Sequence, residues 1–312
     1  MALKSYAEDV IKNDKANESQ DLSEEIALLT PTDTPLYTLV AGRGNVEPAS
    51  DVTVTWREKE LNSTRGNLKL EGADAGEGVK SSKTMKSNIC QIMEKVTKVS
   101  GTIQAVDVNG ITDQFLGEIE DRMVEMKRDV EWYMIQGTKT YEDANTNTPR
   151  QMDGLLNLIH SDNVIDLGKK STNANQLEED DLVDAMEKIW EAGASGEYFA
   201  FLNATEKRIV NGLLKDDAGA RLVKEAGDNV LGVKVAQVDT DFGLINFVLD
   251  RHMPSGNIMI VDLDLVKLKE LRSPFYEMLA KDGDYDKGHV LVENTVTLEN
   301  SKAGAKIINI DS

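Results

Sequence analysis

The chain has 312 residues, 40% of them hydrophobic and 29% charged, with a formal net charge of -20. That length and apolar content suit one large or two ordinary domains and exclude a disordered chain. The acidity, with no basic run, excludes a direct nucleic-acid reader or an anionic membrane surface, because such binders neutralise phosphates with Lys and Arg. Aromatic residues make up 5%, so aliphatic side chains must build most of the core. Cys90 is the single cysteine, which rules out an intrachain disulfide. The start, MALKSYAEDVIKND, lacks the apolar core of a signal peptide, and no stretch is long and apolar enough to span a bilayer. A protein made in a cytoplasm is expected.

Residues 1–20 are polar and read as an arm. Asp21 to Leu29 reads as a helix capped by Ser23, with Ile26, Leu28 and Leu29 on one side. Thr30-Pro31 ends it, because the residue before proline avoids the helical region. TPTDTPLYTLVAGRG should then run extended, stiffened by Pro35. These first 45 or so residues cannot make a core alone and look built to lie across something else. From Asp51 to Trp56 the chain alternates, with Val52, Val54 and Trp56 on one side, as in a half-buried strand. A polar stretch from Arg57 to Asn88 follows, with glycines at 66, 72, 76 and 78. Strand character resumes from Ile89 through Thr102, with Ile92, Val96, Val99 and Ile103. Two strands around a long polar tip make an extended hairpin, and a tip this poor in apolar residues is expected to order on a neighbouring subunit.

Thr112 to Gly137 carries apolar residues at Leu116, Ile119, Met123, Met126, Val130 and Tyr133, in steps of three and four. That is one face of a helix of about 25 residues, roughly 37 Å long. Thr112 or Asp113 can cap it and Gly137 can end it. Glu118, Asp121, Glu125, Arg128 and Asp129 lie opposite, with Glu118–Arg122 and Lys127–Glu131 as surface pairs. The narrow stripe suits a coiled-coil seam or a strut with a sheet along one side; the run stops early for the former, so a strut is expected.

A polar loop from Thr138 to Arg150 leads to alternating helices and strands over about 160–262. Leu182, Met186, Ile189 and Trp190 mark one helix face, and Tyr198 to Leu202 a short strand. Asn203 opens the next helix as a capping box with Glu206, with Ile209, Val210, Leu213 and Leu214 inward. Strands follow at Val233–Val238, Leu244–Leu249 and Ile258–Val261. Leu265 to Leu271 reads as strand or helix, and Pro274 to Lys281 as a helical turn or two. His289 to Asn300 alternates as a strand, Ser301 to Gly304 turns, and Lys306 to Ile310 is expected to return as its partner.

Catalytic constellations are not found. His160, His252 and His289 sit in unrelated contexts, and there is no G-x-S-x-G, C-x-x-C or H-E-x-x-H. Cys90 reads as a small buried hydrophobe. The glycines lack dinucleotide or P-loop spacing. Asp282, Asp284, Asp286 and Glu293 occupy positions one, three, five and twelve of a calcium loop, but position six is Lys287 and strand follows. A polar turn is the expectation, and neither a cofactor, a metal nor an enzymatic activity is expected.

The order of pieces is polar arm, glycine-rich hairpin, long helix, α/β lobe and returning β-hairpin. Together with TPTDTPLYTLV, VTWREKEL, KVSGTIQAVDVNGI, RDVEWYMIQGT, PRQMDGLL and LAKDGDYDKGHVLVENTVTLEN, it resembles the major capsid proteins of tailed bacteriophages. The resemblance covers about Asp21 to Ile310. It implies an α+β Hong Kong 97-type fold: N-terminal arm over 1–48, extended β-hairpin loop with flanking strands over 49–104, and peripheral domain with spine helix over 105–154. An α/β axial domain over 155–262 and a return to the peripheral domain over 263–312 complete it. It further implies self-assembly, as pentamers and hexamers, into an icosahedral head enclosing phage double-stranded DNA. An encapsulin-like nanocompartment shell is the alternative. On the loop and helix, Trp56, Arg57, Glu58, Lys59, Leu68, Leu70, Glu118 and Arg122 are the candidate assembly contacts. Scaffold, portal and decoration proteins are candidate partners, with DNA held without sequence-specific binding and no membrane. The expected location is the virion, after assembly in the host bacterial cytoplasm. The acidity suits a wall that must not grip its polyanion.

Overall fold

The computed structural model describes residues 32–61, 68–74, 78, 80–105, 114–143, 145–171, 173–193, 197–216, 223–224, 229–230, 233–281 and 283–311. The helix expected at Asp21–Leu29, the preceding arm and the caps Thr112 and Asp113 lie outside the described residues.

The first described element departs from the sequence expectation. Pro35–Gly42 is a helix, α1, not an extended segment. Proline suits the first turn, where its missing N–H has no intrahelical role. Thr34 gives no side-chain cap. Instead the N–H groups of Leu36 and Tyr37 donate to the Glu131 carboxyl at 2.7 and 2.6 Å. Leu36, Leu39 and Val40 are buried, so this part of the expected arm belongs to the subunit's own core.

That core lies between a helix and a four-stranded sheet. Strands β1 (Val46–Pro48), β4 (Gln91–Ser100), β12 (Val266–Met278) and β13 (Tyr285–Leu298) run in the order β1-β12-β13-β4. The helix, α3 (Gln114–Gln136), follows a short α2 (Gly101–Ala105) and packs along β4 and β13. Its stripe buries Ile119, Met126 and Val130 against Met93, Val290, Val292 and Val296. This is the strut expected from the spacing. Leu116 and Met123 on the same stripe stay exposed. The expected Lys127–Glu131 pair does not form, because Glu131 faces α1 while Lys127 lies over the Tyr37 ring. Gly137 ends α3 where the chain doubles back. A Cβ there would stand 2.6 Å from the Met152 carbonyl, so only glycine fits.

The second lobe contains β5 (Val164–Asp166), α5 (Glu179–Glu191), β6 (Glu197–Leu202), α6 (Ala204–Asp216), β7 (Val223–Lys224), β8 (Asn229–Val230), β9 (Val233–Thr240), β10 (Gly243–Leu249) and β11 (Asn257–Asp262). After the four-residue helix α4 (Leu155–Leu158), the chain enters it, and it returns there as β14 (Gly304–Ile308). Its sheet runs β5-β14-β11-β6-β10-β9-β7, with β8 on β9. Leu182, Met186 and Ile189 of α5 pack on Ile258, Ile260 and Ile307, while Trp190 turns outward beside Phe242. Glu206 does not close a capping box. Its carboxylate accepts instead from the Gly256 N–H at 2.6 Å.

Three sequence boundaries move. β12 is one strand across both segments of uncertain type, with register shifts between Glu270 and Phe275. Pro274 falls in that irregular stretch, where a missing N–H breaks no ladder. β14 is not the partner of β13, because β12 and β4 already occupy both edges of β13; it pairs with β11 and β5. The segment 263–312 is therefore shared between the two sheets. β4 likewise belongs to the four-stranded sheet, and not to the hairpin expected over 49–104.

Glu131 carries a second relation. Asp250, which follows β10 and accepts from the His252 N–H at 2.8 Å, stands near it as a second buried carboxyl. Burial pushes both above the usual carboxylate range. The pair therefore holds a proton beyond the pH at which free carboxyls lose theirs. Because the folded state holds that proton more tightly than the unfolded chain, its contribution to stability is lost as pH rises above the ordinary carboxyl range. Asp250→Asn keeps the His252 contact and supplies an N–H to Glu131. It should flatten the fall in melting temperature as pH rises above the ordinary carboxyl range. An unchanged slope in that variant would remove the retained proton from the account. Glu131→Ala should cost about 1–3 kcal/mol for each helix N–H left unpaired, read by chemical denaturation.

Lys207 on α6 gives the opposite sign. Its Nζ lies 4.5 Å from the centre of the Phe247 ring and has no hydrogen-bond partner among the described residues. Burial pushes the ammonium down to about 8. The unfolded chain then binds the proton more tightly, so stability rises with pH from about 8 towards the ordinary lysine value of about 10.5. Lys207→Met should raise the melting temperature at pH 7 and abolish that rise, as measured by calorimetry at several pH values.

Candidate assembly interface

The candidate contacts of the hairpin sit on, or in the loop beyond, a two-stranded ribbon that pairs with no other strand among the described residues. β2 (Thr53–Glu60) runs antiparallel to β3 (Ser82–Ile89), from Thr53↔Ile89 to Glu60↔Ser82. Eight residue pairs make an arm of roughly 27 Å. Burial rises steadily along it. Residues 82–85 are exposed, Lys86 and Ser87 half-buried, and Asn88 and Ile89 buried. The returning strand thus starts seven residues before the apolar signal at Ile89, because SKTMKSN has no alternation to betray it.

The ribbon is clamped by polar side chains at its root, through Asn88 and Lys139, and again towards its outer end, through Glu58 and Glu60. Asn88 fills all four of its hydrogen-bonding positions. Its Nδ2 donates to the carbonyls of Asp153 at 2.9 Å and Val296 at 2.7 Å. Its Oδ1 accepts from the N–H groups of Ile89 at 2.9 Å and Asp153 at 2.8 Å. Lys139 reaches the Ser87 carbonyl at 2.6 Å. Glu58 accepts from the N–H and hydroxyl of Ser301, at 2.8 and 2.9 Å, and Lys302 reaches Glu60 at 2.6 Å. The ribbon is therefore aimed by the loop over 138–153 and by the turn into β14. Sequence reading missed Asn88, Lys139, Ser301 and Lys302. The available signal was Asn88 itself, a strand-averse residue just before a buried isoleucine.

The candidate residues separate into distinct settings. Leu68 and Leu70 are 97% and 86% exposed. Leu61 at the end of β2 and Met85 on β3 are exposed as well. Residues 62–67, 75–77 and 79 of the tip lie outside the described residues. Arg57 and Lys59 point outward and Trp56 is half-buried, whereas Glu58, opposite Thr84 towards the outer end, is turned to Ser301 of its own subunit. Glu118 and Arg122 lie on α3, remote in sequence from the ribbon, where the guanidinium bridges Glu118 at 3.1 Å and Glu125 at 2.5 Å. Those charges are already met within the helix, so they shape the surface more than they seek a partner.

The calcium pattern is not brought together. Asp282 lies outside the described residues. Asp286 pairs with Lys281, and Glu293 is buried between Arg150 and Arg272. Both carboxylates lie on β13 seven residues apart, roughly 23 Å along a strand and on opposite faces. The histidines are also scattered. His160 accepts from the Asp162 N–H, His252 follows β10, and His289 sits 2.6 Å from Glu94 across β13 and β4. Cys90 is buried at the break between β3 and β4, and burial pushes its thiol up to about 11, which suppresses the nucleophilic thiolate.

The profile of the SU10 major capsid protein family matches residues 8–311. A curated relative, the major capsid protein of Escherichia phage Phieco32, is 23% identical over 328 aligned positions, covering 91% of this chain and 92% of its own. Among solved structures, the capsid asymmetric unit of cyanophage A-1(L) superposes with a TM-score of 0.66 at 13% identity, covering 97% of this chain and 99% of that one. The SrpI encapsulin of Synechococcus elongatus PCC 7942 gives a TM-score of 0.64 at 12% identity, covering 100% and 97%. The fold is therefore common to phage capsids and a nanocompartment, and the family match and the curated relative separate the two. The two sheets, the strut helix and the projecting ribbon are a Hong Kong 97-type capsid subunit, and the chain belongs to the SU10 major capsid protein family.

Proposed function

We propose that the ribbon tip is the subunit's reach onto its neighbour in the shell of a phage head. The observation that supports this reading is the contrast along the ribbon: a root whose buried Asn88 amide is fully paired, and loop leucines, Leu68 and Leu70, that stand almost fully exposed among the described residues. Two large aliphatic side chains left in water forgo about 1.5–3 kcal/mol each, which burial against another copy recovers. Repeated around rings of five and six subunits, such modest contacts sum to a stable closed container. In this reading the wall does its work through interface free energy and not through bond chemistry. The net charge of -20 keeps it from gripping packaged double-stranded DNA, with counter-ions screening the inner face. Assembly takes place in the host bacterial cytoplasm, with scaffold, portal and decoration proteins as further partners.

Replacing residues 62–81 by a short turn should leave a soluble, cooperatively melting subunit that forms no shells under electron microscopy. Normal shells from that variant would sink the reading; an unfolded variant would place the tip within its own core. Asn88→Ala tests the root independently. It leaves the tip intact but unpairs the buried N–H and C=O groups of Asp153 and the Val296 carbonyl. A loss of about 2–4 kcal/mol is expected in chemical denaturation, together with misshapen or open shells, because the ribbon is no longer aimed. Closed, regular shells from a subunit destabilised to that extent would show that aim is not set at Asn88.

A further inference from the structure

One cavity lies outside the ribbon. It measures about 180 Å³ and opens between α3, α1 and the four-stranded sheet. Met126, Val130, Val290 and Asn294 form its buried floor, and Met123, Lys127, Tyr37 and Pro274 its mouth. The irregular stretch of β12 makes the space. Pro274 lies within its second register shift, and Asn294 pairs with Glu270 just before the first. Asn294 is 1% exposed, and neither its amide oxygen nor its nitrogen has a hydrogen-bond partner among the described residues. A buried amide left unpaired is costly and calls for a partner. Water serves poorly here, since it needs two to four polar partners and Asn294 is the one polar side chain on the floor.

We infer that this cavity is a binding site for a small aromatic carboxamide. The ring fits the methionine and valine walls, for an apolar cavity of about 150 Å³ suffices to hold benzene. The carboxamide presents one acceptor and one donor side by side, the complement of the Asn294 amide. Lys127, held 5.2 Å from the centre of the Tyr37 ring, sets a cation at the mouth that suits the electron-rich face of an aromatic guest.

The test uses benzamide, and toluene as the same ring without the head, with the intact protein and ligand-observed NMR. Saturable benzamide binding is expected at millimolar concentration. Asn294→Leu should weaken it about tenfold or more, the loss of a buried hydrogen-bonded pair, without weakening toluene. Val130→Phe fills the cavity from the helix side and leaves Asn294 in place, so it should abolish binding of both and decides the matter if Asn294→Leu fails to fold. Equal benzamide binding in the wild type and either folded variant would overturn the proposal. So would the absence of any benzamide binding to the wild type, which would leave the space to water.

Discussion

Asn88 fixes the direction of everything the subunit extends beyond its own core. Its four hydrogen bonds tie the end of β3 to its own Ile89 N–H, to Asp153 in the loop after α3 and to Val296 near the end of β13. A side chain with all positions filled at zero exposure has little freedom to rock. Through it the ribbon inherits the rigidity of the four-stranded sheet. Glu58 and Lys302 then add a second line of contact on the far strand, so the ribbon is held against twisting as well as bending.

A similar logic of distant polar partners holds α1. A carboxyl from the middle of the strut takes the place of the missing cap, and Asp250 joins it from the end of β10. Three parts of the chain, 95 and 119 residues apart in sequence, thus meet at one pair of buried carboxyls. Negative charge at a helix start is favourable, and here it is buried where salt cannot screen it.

The sequence made some of this legible. The strut was readable because an apolar face at steps of three and four leaves a strong trace over 23 residues. β6, β10 and β11 were readable because they are short apolar runs bounded by polar residues. α1 was not, because Pro35 signals stiffness as readily as a helix start, and the group that satisfies its N–H donors is encoded far away. β12 was obscured by Pro274 and β3 by its polarity. The partner of β14 could not be read, since alternation reports which side of a strand is buried and not which strand lies beside it. The capsid resemblance supplied the architecture, while the residues that aim the ribbon emerged only from their contacts in space.

The placing of β14 has a consequence for synthesis. It lies between β5 and β11, whose residues are made long before it, and β1 similarly waits for β12 and β4 for β13. Neither sheet can close while its late strands are still inside the ribosome. Pairings this distant in sequence fold slowly, since loop-closure entropy must be overcome before contacts reward it. The tip leucines are therefore translated, and exposed, while the surfaces of the two lobes are still incomplete. The same ordering makes a prematurely halted chain unable to join a shell: without residues 304–308 the second lobe lacks a central strand and remains a poor fit to any ring.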